Sequence, residues 1–137
     1  MVQYRSVVMG NNGSVASAHP LASLAGLKIL MKGGNAFDAS VATNAVLAVT
    51  QPPFCGIGGD IFALIWSNKE EKVDFLNGSG RSGKNASIKT FTENGLTQIP
   101  SKGFYPMTIP GCVDGWHTLL EKYGTMELHD LLQDAIY

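Results

Sequence analysis

At 137 residues, with 45% hydrophobic and 15% charged side chains, the chain is long enough for one ordinary domain with a real core. Its formal net charge of −1 and the lack of a Lys/Arg patch interleaved with aromatics give no reason to expect nucleic acid or an anionic membrane as a partner. The longest nearly uncharged apolar stretch, Ala39 to Val49, is too short to span a bilayer and is interrupted by Ser40, Thr43 and Asn44.

The opening residues, MVQYRSVVMGNNGSVASAHP, have no basic segment followed by an apolar one, so no signal peptide is expected and a cytoplasmic location is favoured. Val7–Val8 and Ser14–Ala18 read as short strands around the turn GNNG. Pro20 then sits where a helix tolerates proline, in its first turn. Leu21, Leu24, Leu27, Leu30 and Met31 recur at helical spacing, and Gly33-Gly34 supplies the stop. A second helix starts from Asn35, a good N-cap, with Asp38 favouring the positive end of the helix dipole, and runs to the residues before Pro52-Pro53. Being rich in Ala, Ser and Thr and nearly uncharged after Asp38, it is expected to be buried between layers, packed on a sheet.

CGIGGD reads as a turn and IFALIW as a buried strand. SNKEE is a hairpin loop, and KVDFLN is the returning strand. A glycine-rich loop follows, then a short helix near Ser87–Glu93 and the proline-punctuated loop PSKGFYPMTIPG. A helix over Val113–Tyr123 presents Trp116, Leu119, Leu120 and Tyr123 on one side and ends at Gly124. Thr125 is expected to cap a last amphipathic helix, LHDLLQDAIY, which carries no stop signal and reads as a helix cut inside a larger fold. The whole predicts α/β layering with no simple βαβ repeat.

The loop GSGRSGKN (Gly78–Asn85) comes close to two nucleotide motifs. A P-loop needs a Ser or Thr hydroxyl after its Lys to hold Mg²⁺, and here that position is Asn85. The preceding strand carries charges, and the following ASIKTFTENGL is a poor helix. G-x-G-x-x-G is also present (Gly78, Gly80, Gly83), but neither the helix it should open nor a following acidic residue is evident. His19, His117 and His129 match no metal pattern, and no G-x-S-x-G elbow exists. Cys55 and Cys112, far apart in sequence, read as two free thiols, with Cys55 structural rather than nucleophilic. Asp38, Asp60, Asp74 and Asp114 are scattered, with capping or turn roles the default. Arg81 differs in kind. Its guanidinium lies in a loop leaving a hairpin, where it either reaches a cleft and binds a carboxylate bidentately or is a solvated loop arginine.

Several separate segments, in order, resemble the N-terminal region of the large subunit of the γ-glutamyltransferase family. They are Ala18-His19-Pro20-Leu21-Ala22, Gly33-Gly34-Asn35-Ala36-Phe37-Asp38-Ala39, Gly56-Ile57-Gly58-Gly59, and TIPGCVDGWHTLLEKYGTMELHDLLQDAI, similar to the family's P-G-x-V-x-G-W segment and the helices after it. The resemblance runs from about residue 5 to the end and makes the whole chain, 1–137, a truncated N-terminal segment of such a domain. It implies an αββα N-terminal-nucleophile hydrolase fold whose precursor cleaves itself. The new N-terminal Thr of the small subunit then attacks the γ-glutamyl amide of glutathione-like compounds, with no cofactor. That Thr lies outside this chain, so no catalytic residue is expected within it, and alone it should be inactive. The implied partners are a small-molecule γ-glutamyl substrate, the remainder of the large subunit and the small subunit.

In this family an Arg near the end of the returning strand binds the substrate's α-carboxylate. Where some members have an F-R-E-type sequence, this chain has Phe75-Leu76-Asn77, and it is more similar to members with a G-x-G-R-A-P-like loop. Arg81 is therefore the candidate substrate-binding residue. Asp60 departs from the glycine often found after Gly-Ile-Gly-Gly. The alternatives are a non-catalytic module of the same fold and a nucleotide-binding protein acting through Gly78–Asn85.

Overall fold

A computed structural model describes residues 6–137; the first five residues, where the N-terminal reading and the resemblance begin, lie outside the described residues. Helices α1 (Pro20–Met31) and α2 (Ala36–Thr50) precede the hairpin of β1 (Ile61–Ser67) and β2 (Lys72–Gly78). After it come α3 (Ile88–Glu93), α4 (Cys112–Tyr123), α5 (Leu128–Leu131) and α6 (Gln133–Ile136). The two strands pair antiparallel in the register Ile61↔Gly78 to Ser67↔Lys72.

Local chemistry explains both helix boundaries in the first half. Met31 is followed by Lys32 and then Gly33, whose φ of 92° turns the chain into the left-handed region. Gly34 N–H then donates to Ile29 O (3.0 Å) and Gly33 N–H to Leu30 O (3.1 Å), the paired bonds of a Schellman stop. In α2 the Asn35 side chain accepts from the Phe37 and Asp38 N–H groups, while the Asp38 carboxylate accepts from Asn35 N–H at 2.8 Å. This is a reciprocal capping box with Asn and Asp in the two roles.

Asp38 reaches further than its capping role requires. Its carboxylate also accepts from Thr125 N–H (3.0 Å), Thr125 Oγ1 (2.6 Å) and Met126 N–H (3.3 Å), and Asn35 Nδ2 donates to Tyr123 O (2.7 Å). Thr125, expected to cap the last helix, is thus spent on Asp38, and the N-cap position of α5 is taken by Glu127. The side chain of Asp38 is fully buried. Burial pushes its carboxyl up, but the Thr125 hydroxyl and the N–H groups of Asn35, Thr125 and Met126 outweigh that and hold it below its ordinary value.

Helix α2 is buried, as its composition predicts, but its principal neighbours are α1 on one side and α4 to α6 on the other. Its small residues Ala39, Ala42, Thr43 and Ala45 permit that close helical packing. The main core joins Ile29, Val41, Ile65, Trp116, Leu119 and Leu131. Trp116 Nε1–H donates to Asn44 Oδ1 at 2.9 Å, so the one polar atom of this buried aromatic is satisfied.

Three further expectations fail. Val7–Val8 and Ser14–Ala18 form no strand, because among the described residues no neighbouring strand pairs with them. IFALIW is buried on one face only. Ile61, Ala63 and Ile65 turn toward the helices, whereas Phe62, Leu64 and Trp66, with Val73 and Phe75 from β2, form an apolar face each of whose residues is more than half exposed. An apolar run with both faces hydrophobic carries no period to reveal which face is covered. LHDLLQDAIY is divided at Leu132 into two four-residue helices. The helix after Ser87 and the helix ending at Gly124 stand where the sequence puts them.

Asp38→Ala removes one acceptor from four buried or half-buried donors and is expected to cost roughly 3 kcal/mol in urea denaturation. Because the native carboxyl titrates lower than it would in an unfolded chain, its contribution is present above the ordinary carboxylate range and is lost as pH falls through the native value. The stability gap between wild type and Asp38→Ala should therefore shrink in acid. A gap that stays constant down to strongly acidic pH would contradict this account of the carboxylate.

Candidate functional site

Arg81 leaves the hairpin by a route that its neighbours define closely. Asn77 Oδ1 accepts from Ser79 N–H at 3.1 Å, turning the chain at the end of β2. Gly80 then takes a φ of 76°, and Arg81 pairs with Ile109 as an isolated antiparallel bridge in which Ile109 N–H donates to Arg81 O at 2.8 Å. The loop after β2 and the segment before α4 thus meet backbone against backbone.

The glycines exist for that crossing. A Cβ added to Gly78 would lie 2.6 Å from Ile61 Cγ2 and 3.2 Å from Gly111 O; one on Gly111 would lie 2.6 Å from Gly80 N and closer still to Gly78 O. One on Gly80 would stand 3.1 Å from the Ile109 carbonyl carbon and collide with its oxygen. None of the three positions has room for a side chain. Gly83, by contrast, has open space around it. The near-match to two phosphate-binding motifs therefore has another cause: Gly78 and Gly80 face a second chain segment instead of opening a concavity for phosphate. The helix that follows, α3, has six residues and begins five positions after Gly83, at Ile88.

The same junction closes the start of α4. Gly111, in the N-cap position, has no side chain to cap the helix, and the N–H groups of Gly111 and Cys112 both donate to Gly59 O, at 3.1 and 3.0 Å. The GIGGD turn is thereby tied to α4, and α4 to the Arg81 loop. One turn along, Gly115 lets α4 press against β1, with Ile61 Cγ2 occupying the space a side chain would need. The P-G-x-V-x-G-W pattern thus encodes two close backbone approaches and a core tryptophan.

The Arg81 side chain is exposed and, among the described residues, has no ion-pair or hydrogen-bond partner. Leu76, in the Phe75-Leu76-Asn77 stretch, points to the helical layer: it is half-buried, pairs with Ala63 and packs toward the space kept open by Gly115. An arginine there would be driven into the core.

The other candidates fall outside this junction or take structural roles. Asp74 faces the helices from β2 and accepts from Lys122 Nζ (2.5 Å) and from the Tyr123 hydroxyl, joining sheet to α4. Those two donors hold its carboxyl far below the usual range, and Asp74, with the Tyr123 hydroxyl, in turn raises the Lys122 ammonium. Asp60, Asp114 and His117 are exposed. Both cysteines are free thiols; Cys112 is buried, which pushes its thiol up, and lies 3.8 Å from Asn44 Oδ1, while Cys55 is half-buried. No group of three or more metal-ligating side chains occurs among the described residues. Nor is any helix among them long and apolar enough to cross a membrane. A cavity of about 600 Å³ lies between residues 12–17 and helices α1 and α2, away from Arg81. What sequence reasoning missed was the partner of the glycine loop: Gly111, in a segment read as a proline-punctuated loop and as part of the P-G-x-V-x-G-W resemblance but not as a contact of that loop.

Comparison with known proteins places this geometry in a family. The Gamma-glutamyltranspeptidase family profile matches residues 22–137. A glutathione hydrolase-like proenzyme of Bacillus subtilis (strain 168), YwrD, is 46% identical over 129 residues, which make up 93% of this chain and 24% of that protein. Among solved structures, a cephalosporin acylase from Bacillus halodurans superimposes with a TM-score of 0.91 at 42% identity, covering 99% of this chain and 25% of its own. A Helicobacter pylori gamma-glutamyltranspeptidase superimposes with a TM-score of 0.85 at 34% identity, covering 96% of this chain and 38% of its own. The N-terminal-nucleophile hydrolase fold implied by the sequence resemblance is the fold of these neighbours, and the chain corresponds to a portion of it. With the family profile spanning nearly all of it and the fold agreeing, the chain belongs to the γ-glutamyltranspeptidase family.

Proposed function

We propose that residues 1–137 act as the N-terminal segment of a longer γ-glutamyltransferase or glutathione hydrolase, in which Arg81 binds the α-carboxylate of the γ-glutamyl group. The observation that carries this reading is the pairing of a pinned backbone with a free guanidinium. Arg81 is held by the Ile109 bridge and the glycine crossing, yet its side chain is exposed and unpartnered among the described residues. A solvated loop arginine needs no such fixing, whereas a bidentate carboxylate contact depends on where the planar fork is held.

In this reading the nucleophile is the N-terminal Thr of a small subunit outside this chain. Its hydroxyl, deprotonated by its own α-amine, attacks the amide carbonyl, and the acyl-enzyme passes the γ-glutamyl group to water or an amine. The segment contributes carboxylate binding and scaffold but no reacting group, so by itself it should be inactive. The apolar sheet face of Phe62, Leu64, Trp66, Val73 and Phe75 supports a longer protein as well, since the implied sandwich would cover it with the sheet supplied by the remainder of the two subunits.

In the full-length protein, Arg81→Ala should raise KM for a γ-glutamyl anilide by about 10–100-fold, the equivalent of about 1.5–3 kcal/mol for hydrogen bonds to a charged group. Arg81→Lys should restore only part of it, because a single ammonium cannot reproduce the fork. An unchanged KM in Arg81→Ala would overturn the assignment. Calorimetry with Mg²⁺-ATP is expected to show no heat of binding, since Gly78 and Gly80 of GSGRSGKN are packed against the Ile109–Gly111 segment. Saturable binding that Lys84→Ala abolishes would reverse this and restore the nucleotide reading.

A further inference from the structure

We infer that Gly80 is a positioning residue for substrate binding, acting through Arg81. The inference rests on the carboxylate-binding role proposed for that arginine. Gly80 immediately precedes Arg81, has a φ of 76°, and is the point where the loop presses hardest on the facing segment. A methyl group there must separate the loop from Ile109–Gly111, and the structure determines which side moves.

The facing segment is anchored from Gly111 onward, two residues past the exposed Ile109. Gly111 and Cys112 are bonded to Gly59 O, and Gly111 opens α4, which is seated against β1 at Gly115 and in the core through Trp116 and Leu119. The loop is not anchored in this way. From Arg81 to Lys89 every residue is exposed, and a Cβ added to Gly83 would meet nothing within 4 Å. The displacement therefore falls on Arg81. Its carbonyl is pulled off Ile109 N–H, and a small backbone shift is carried to the tip of a long side chain. The core behind the crossing, and hence the fold, is left largely as it was.

The test is a double-mutant cycle in the full-length protein with a γ-glutamyl anilide as substrate, read as KM and kcat separately, with thermal melts alongside. Gly80→Ala should raise KM by about tenfold or more with kcat within about twofold, the mark of lost binding without lost chemistry. The double variant Gly80→Ala/Arg81→Ala should be no worse than Arg81→Ala, because the glycine acts only through the arginine. Gly83→Ala should match wild type. Gly80→Asn, which tolerates the backbone angle but still inserts a Cβ, should lose as much as Gly80→Ala. If Gly80→Ala does not accumulate as folded protein, Ile109→Pro removes the hydrogen bond to Arg81 while leaving the glycine crossing empty, and it should raise KM with kcat held. A wild-type KM in Gly80→Ala beside a raised KM in Arg81→Ala would overturn the inference and leave the arginine's role standing, as would fully additive losses in the double variant. A wild-type KM in Arg81→Ala would remove the underlying reading and this inference together.

Discussion

Three stretches of backbone meet at one point with almost no side chains between them, and the arrangement of the sheet, the longest C-terminal helix and the candidate site all depend on it. Gly59 O receives the first N–H groups of α4, Gly111 lies against Gly78 and Gly80, and Ile109 bridges to Arg81. Each contact is shorter than a side chain would allow, so the junction is a steric constraint before it is an energetic one. Its consequence is geometric precision: the end of the hairpin, the start of α4 and the GIGGD turn cannot move independently.

The helical layer is held by a different device. Asp38 gathers donors from the start of α2 and from the turn after α4, so one buried carboxylate fixes where both helices end or begin. Asn35 adds a second tie to the same turn through Tyr123 O, and Phe37 stacks on the Tyr123 ring with centroids 4.7 Å apart. From there Tyr123 and Lys122 reach Asp74 on β2, so the chain of polar contacts runs from α2 through α4 to the sheet. The glycine junction and the Asp38 network grip α4 at opposite ends. A helix fixed at both ends is a firm wall for a loop to lean on.

Much of this was legible in the sequence where the information is local. Asn35 and Asp38, Gly33-Gly34, the hairpin and the span ending at Gly124 follow from capping, turn and periodicity rules acting over a few residues. What was not legible is long-range. Nothing near Asp38 announces Thr125, 87 residues away, as its partner. The glycines of GSGRSGKN mark a need for close approach without saying to what, and the local pattern fits phosphate as well as backbone. The strand assignment for Ser14–Ala18 failed because strand pairing requires a neighbour, which single-segment propensity cannot supply. The candidate arginine was recognisable from its loop and from family resemblance together. That position 76 faces the core, where no side chain could reach a cleft, became clear only from register.

In the proposed reading, a glycine crossing holds Arg81 where its guanidinium meets a substrate carboxylate. The most direct measurement is a crystal structure of the full-length protein with a γ-glutamyl substrate analogue bound. Two guanidinium nitrogens are expected within hydrogen-bond distance of the analogue's α-carboxylate, with the Arg81–Ile109 bridge intact. An α-carboxylate held by other residues, with Arg81 turned to solvent, would contradict it.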